Sequence, residues 1–289
     1  MTWARFLLRQ PWLIWGLATV VAYAPSVSAS VRSLTQPAGT ADVLAPGVTT
    51  ASQVGAAATL TAIQVLTTVV AVVLLVCGPA WDPVPIGERA RQLGLRWSDG
   101  RGRVIGGAAG AAAGYVGIVA GTSFIAAVVL SGLEVTGRPT VGGSIPNPML
   151  LLGDYLMSIA AGVGEEVLLL AVPFALAVRD DWKPWVIIGL LTGLRLSIHL
   201  YYGAGAAFVV LWIPAAYVLY RATGSIRPLI LGHVLYDLLA TTIQRSPALH
   251  TPALVLLVGL GVFGSVLLTG SAARHLGARR ESVTADPSR

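Results

Sequence analysis

Charge is scarce in this chain: Asp, Glu, Lys and Arg make up 11% of its 289 residues, where a soluble domain carries roughly 25%. With 55% hydrophobic residues and a mean hydropathy of +0.76, a soluble globular fold is excluded. Cysteine is nearly absent. The single Cys77 rules out an internal disulfide and any site built on several thiolates. Lysine occurs once, at Lys183, so the net charge of +6 is carried by arginine; that balance suggests nucleic acid only until the cations are placed along the chain. HExxH, Gly-x-Ser-x-Gly and a Walker loop are also missing.

What the chain has in abundance is apolar runs of bilayer-spanning length. They predict eight membrane helices at about 13–31, 55–77, 104–133, 148–178, 185–202, 206–220, 228–244 and 252–271. The expected fold is an all-α, polytopic transmembrane helical bundle. Arg5 and Arg9 precede a short apolar run ending in Ser26-Val27-Ser28-Ala29-Ser30, a pattern shared with cleavable signal peptides; cleavage would leave seven spans. With the N-terminus placed in the cytoplasm, fifteen Lys and Arg fall on the inner segments and three, Arg32, Arg138 and Arg245, on the outer ones. That bias predicts a multi-pass cell-membrane protein with both termini cytoplasmic and no nucleic-acid partner. The chain divides into N-terminal helices and loops (1–147), a central core (148–244), a last membrane helix (245–271) and a polar tail (272–289) expected to be disordered. Residues 32–54 and 79–103 read as loops.

Four acids, one Arg and two His lie inside the predicted spans: Asp154, Glu165, Glu166, Asp237, Arg195, His199 and His233. A charged group at the bilayer centre costs about 2.5–3.5 kcal/mol on insertion scales, so these groups should face one another or a wet cavity. All fall between residues 154 and 237, and the spans outside that block carry none. Arg195 and His199 are four apart, as are His233 and Asp237, while Asp154 and Glu165 are eleven apart; each pair shares a helix face. Glu165 and Glu166 are neighbours and cannot point the same way, so one can face a cavity while the other pairs sideways. Such a carboxylate suits a general base or acid. The expected cofactor is none, although two His with two or three carboxylates would in principle hold zinc or another divalent ion. Tyr201, Tyr202, Trp182, Trp185 and Trp212 read as interfacial or packing residues. Gly162, Gly164, Gly189 and Gly193 read as close-packing or bending positions.

These residues resemble the CAAX protease and bacteriocin-processing family, which includes the type II CAAX prenyl endopeptidases. Its motifs are Glu-Glu-x-x-x-Arg, Phe-x-x-x-His and His-x-x-x-Asn or Asp on successive helices. Glu165-Glu166 matches the first with Leu170 where Arg would stand, His199 matches the second with Arg195 in place of Phe, and His233 with Asp237 matches the third in full. Together they span roughly residues 150–243. The resemblance implies an intramembrane endopeptidase in which Glu165, assisted by His199, activates water. His233 and Asp237 would serve the oxyanion, with Glu166 and Arg195 holding the electrostatics and Asp154 in support. Its partners would be the bilayer and a membrane-associated protein or peptide substrate. Either the motif's cation has changed helix and the site is intact, or this is a catalytically silent scaffold or immunity member. A proton- or ion-coupled transporter is the rival of a different class; no inverted repeat supports it. The use of Arg over Lys points to a high-GC bacterium, in which a prenylated CAAX protein is not the expected substrate. Straight helices would place Glu165 and His233 toward the inner half of the bilayer and His199 toward the outer. Levelling them requires a break near Gly162 and Gly164, strong tilts or shifted span edges.

Overall fold

The computed structural model describes residues 10–35, 50–78, 84–95, 107–132 and 148–284. Among them the secondary structure is helical throughout, with no strand. Helices α1 (Pro11–Thr35), α2 (Thr50–Cys77) and the short α3 (Ile86–Gln92) precede α4 (Gly107–Gly132). Helix α5 (Pro148–Glu166) runs through a π turn, Val167–Ala171, into α6 (Val172–Arg179). Then follow α7 (Pro184–His199), a 3-10 stretch (Leu200–Ala207), α8 (Phe208–Thr223), α9 (Arg227–Arg245) and α10 (His250–Thr284). Local chemistry sets several of these edges. Proline opens α5 and α7 and sits at the start of α9, where its fixed φ suits a first helical turn and its missing N–H is no loss. Gly224, in the left-handed conformation, stops α8.

Five described runs are long and apolar enough to cross a membrane: Val54–Cys77, Ala108–Ser131, Pro148–Arg179, Pro184–Thr223 and Pro247–Leu267. The run 184–223 holds two of the predicted spans, folded back at Gly203, whose φ of 61° and ψ of −134° need a residue without Cβ. The spans expected at 13–31 and 228–244 are also helices, α1 and α9, but are less apolar. Their polar side chains turn inward: in α1, Ser30 donates to the Ile198 carbonyl at 3.0 Å and the Trp15 indole to the Leu168 carbonyl at 2.6 Å. These are the satisfied partners that a polar group in hydrocarbon requires.

The most apolar stretch of the 148–179 run is 78% buried, against 11% for that of 247–267. The first is therefore the axis of the bundle, and the second is free to meet lipid along most of its surface. α10 packs on α4 through glycines. A Cβ on Gly117 would lie 2.8 Å from the Gly261 carbonyl, the close backbone approach that small residues permit between membrane helices.

Three sequence expectations need correction. No break falls near Gly162 and Gly164, which sit inside continuous α-helix; the irregular positions are the π turn after the Glu pair and Gly203. Those two glycines are close-packing sites: a Cβ on Gly162 would stand 2.5 Å from Val234 Cγ2, and one on Gly164 would stand 2.8 Å from the Tyr23 hydroxyl. Gly189 and Gly193 are not, having nothing within 4 Å of such an atom. The expected disordered tail is helical as far as Thr284, since residues 272–284 carry the helix formers Ala, Arg, Leu and Glu; residues 285–289 lie outside the described set.

Of the 79–103 loop, 84–95 is described and contains α3. Arg89, read from sequence among the topogenic charges, is buried and donates to the carbonyls of Val76, Gly78 and Val84. The Val76 and Gly78 carbonyls are ones left over at the end of α2, and that of Val84 stands just before α3. The other loops and cations of that region, residues 36–49, 96–106 and 133–147, lie outside the described residues.

Candidate active site

Glu165 and Glu166 end α5, Arg195 and His199 occupy the last turn and a half of α7, and His233 and Asp237 lie on either side of the middle of α9. The 148–179 run has 32 residues and α7 has 16. At about 1.5 Å per residue, Glu165 sits mid-way along the first and His199 at the end of the second. Unequal helix lengths thus bring the motifs to one level.

Arg195 is the hub. Its Nη1 donates to Glu165 Oε2 at 2.5 Å and its Nη2 to Glu166 Oε1 at 2.7 Å, and it has no exposed surface. The guanidinium also lies 4.7 Å from the centre of the Trp212 ring, a cation–π contact that counts for more when desolvated. A planar fork of donors suits two carboxylates on adjacent residues in a way that a point charge does not.

Glu166 is wholly buried, and its Oε1 accepts three donors: Arg195, the Tyr115 hydroxyl at 2.6 Å and His233 Nδ1 at 2.7 Å. Glu165 instead lines a cavity of about 720 Å³, together with His199, His233 and Asp237. One carboxylate therefore braces the framework while its neighbour faces the space where a ligand fits. The volume lies within the roughly 300–1,000 Å³ of small-ligand sites.

The two histidines have fixed and different roles. His199 Nδ1 lies 2.8 Å from the Arg195 backbone carbonyl. A carbonyl only accepts, so Nδ1 carries the proton and the Nε2 lone pair is left to take another. His233 donates from Nδ1 to Glu166, which leaves Nε2 beside Asp237 Oδ2 at 3.4 Å. Glu166, and not Asp237 alone, orients His233.

Asp154 separates from this cluster. It lines the same cavity, but Oδ2 pairs with Arg245 Nε at 3.3 Å. The carboxylates that bind Arg195 are those of Glu165 and Glu166. Ser197, two residues before His199, bonds its hydroxyl to the Leu194 carbonyl of its own helix. Among the described residues, no group of three or more His, Cys, Asp or Glu side chains is arranged to hold a metal ion.

Sequence reasoning missed four residues here. Tyr115 comes from α4, a span dismissed because it carries no charge. Gly232 lets it in: a Cβ there would meet the Ala112 carbonyl at 2.6 Å and Tyr115 Cβ at 2.8 Å. The glycine directly before His233 was the available signal. Trp212, read as interfacial or packing, is 1% exposed and lies between Arg195 and both histidines, its ring centre 5.8 Å from that of His199 and 5.4 Å from that of His233. Tyr201 and Tyr202 stack beside His199 and line the cavity. Trp182 and Trp185 do lie at the surface.

Tyr115→Phe removes one donor to a buried carboxylate, a hydrogen bond worth about 1.5–3 kcal/mol. A lower thermal unfolding midpoint in detergent is the expected result; an unchanged midpoint would mean that the hydroxyl does not serve Glu166.

Comparison with known proteins agrees with the motif resemblance. Residues 147–239 match the family model described as type II CAAX prenyl endopeptidase Rce1-like. No curated protein and no solved structure gives a match.

Proposed function

We propose that this chain, a member of the CAAX protease family through residues 147–239, is an intramembrane endopeptidase acting on a membrane-associated protein or peptide. The observation that supports this reading most is the division of labour at the Glu pair: Arg195 binds both carboxylates, while only Glu165 faces the cavity, beside a histidine whose Nε2 lone pair is free. A water in that cavity would give a proton to Glu165 or to His199 Nε2 as its oxygen bonds to the scissile carbonyl carbon. Doubly protonated His233, flanked by Glu166 and Asp237, would donate from Nε2 to the oxyanion; Asp237 as an ionised acid cannot. Collapse of the tetrahedral species breaks the C–N bond, and the proton first taken from water goes to the leaving amine.

The family's missing cation favours an intact site over a silent one. Arg at position 170 is replaced by Leu, yet a guanidinium from Arg195 binds the Glu pair. On this reading a cation on α7 takes the place of the motif's cation after the Glu pair and has the same carboxylates for partners.

Purified protein in detergent, incubated with a library of membrane-tethered peptides, tests the proposal by the appearance of new peptide termini. Cleavage lost in Glu165→Gln supports it. Ion-coupled uptake into liposomes without cleavage would assign the chain to the transporters, and neither activity would make it a silent member of the family.

Strong chelators are expected to leave hydrolysis unchanged, because among the described residues no three His, Cys, Asp or Glu side chains converge as a metal's ligands would. Inactivation by a chelator, reversed by added Zn²⁺, would recast Glu165, His199 and His233 as ligands.

A further inference from the structure

The cavity is built from one half of each helix that lines it. α4 contributes residues from Val119 to Ser131, α5 from Asp154 to Glu165, and α9 from His233 to Arg245. These are the halves nearest Gly132, Pro148 and Arg245, which lie at one end of the bundle. The other halves close up: Leu176, Tyr217, Tyr220, Ile226 and Leu229 are 4% exposed or less and belong to packed apolar clusters. At the lined end Ser131 and Gln244 are exposed, and the Asp154–Arg245 pair joins α5 to α9 across the rim. At the closed end lie Cys77, the turn between Arg179 and Pro184, and the turn between Thr223 and Arg227.

Charge distinguishes these two ends. The closed end carries Arg89, Arg91, Arg179, Lys183, Arg221 and Arg227, whereas Arg245 is the cation at the lined end among the described residues with described side chains. Short loops rich in Lys and Arg stay in the cytoplasm. We infer that the site opens to the extracytoplasmic face, and that its substrate is a peptide segment presented on that side by a membrane-anchored or exported protein. The inference rests on the proposed endopeptidase activity for the word substrate, but the direction of opening does not.

The lining also bears on what such a segment looks like. The rim's acid and base are paired with each other, so the mouth offers little net charge. Deeper in, Tyr201, Tyr202, Phe208 and Trp212 form an aromatic wall beside His199. An extended segment with a bulky apolar side chain next to the scissile bond fits that wall, since aromatic faces hold apolar groups by burial and offset contact.

The full chain in intact, right-side-out cells provides the test, with a membrane-impermeant maleimide as the probe. The thiol introduced by Gln244→Cys should react in intact cells, and native Cys77, exposed at the closed end, should react only after permeabilisation. Ser131→Cys gives the same reading if Gln244→Cys fails to insert. Reaction of Cys77 in intact cells, or protection of the introduced thiol under both conditions, overturns the inference. Occupying the introduced thiol with a bulky maleimide should then cut hydrolysis at least tenfold, while the same label on Cys77 should not. Labelling needs no turnover: outward labelling with no hydrolysis in any variant sinks the endopeptidase reading and leaves the opening in place, and full hydrolysis with a blocked mouth shows that the substrate enters elsewhere.

Discussion

Glu165→Gln and His199→Ala are each expected to lower peptide hydrolysis by about 10²–10⁴, the usual loss when a positioned base is removed. Glu165→Gln keeps the shape of the side chain and an oxygen for Arg195 Nη1, and Arg195 retains its second partner in Glu166. The framework should therefore survive. His199→Ala removes the Nε2 lone pair and a ring packed among Tyr202, Phe208 and Trp212, so a moderate fall in stability accompanies the loss. The two groups work on one proton, and the double variant should be little worse than the poorer single one. Initial rates on a cleaved tethered peptide, read beside thermal unfolding of each variant, separate lost chemistry from lost fold. Near-normal turnover in either single variant would take that residue out of the base assignment.

Why the charged part of the site could be read from sequence follows from its solvent. In hydrocarbon an ionisable group persists only with a partner, so four acids, one Arg and two His confined to 154–237 had few ways to be arranged. Helical spacing then put Arg195 with His199 and His233 with Asp237 on common faces, and the bundle sets all of them around the Glu pair, with Asp154 drawn away to Arg245. The uncharged part was not readable in the same way. A tyrosine or tryptophan in an apolar helix has the same composition signature whether it faces headgroups or braces a carboxylate, and the choice depends on which helices touch. Tyr115 reaches Glu166 only because Gly232 allows α4 and α9 to approach. Helix depth was also hidden. Hydropathy reports where a run is apolar, but the π turn after Glu166 and the reversal at Gly203 set where along it each side chain stands.

Arg195→Leu is expected to have the largest effect of any single substitution. Removing one partner of a buried ion pair typically costs about 3–5 kcal/mol, because the charge left behind has neither water nor a counter-ion. Here two carboxylates on adjacent residues, Glu166 wholly buried and Glu165 at the cavity wall, would lose their shared cation. Both activity and the thermal midpoint should collapse together. Arg195→Lys should recover only part of each, since an ammonium is a point charge and cannot serve Glu165 and Glu166 as the flat fork does. A second pair of variants decides whether the cation has been relocated or merely gained. Position 170 stands in the π turn four and five residues past the two glutamates, buried in the cluster that contains Tyr115 and Trp212. A guanidinium placed there is within a turn of the carboxylates. Leu170→Arg combined with Arg195→Phe restores the family arrangement and should be more active and more stable than Arg195→Phe alone. That coupling between neighbouring sites is what a double-mutant cycle measures. If Arg195→Leu is silent, or if the double variant is no better than the single, the guanidinium serves some other contact and the two helices have not exchanged a cation.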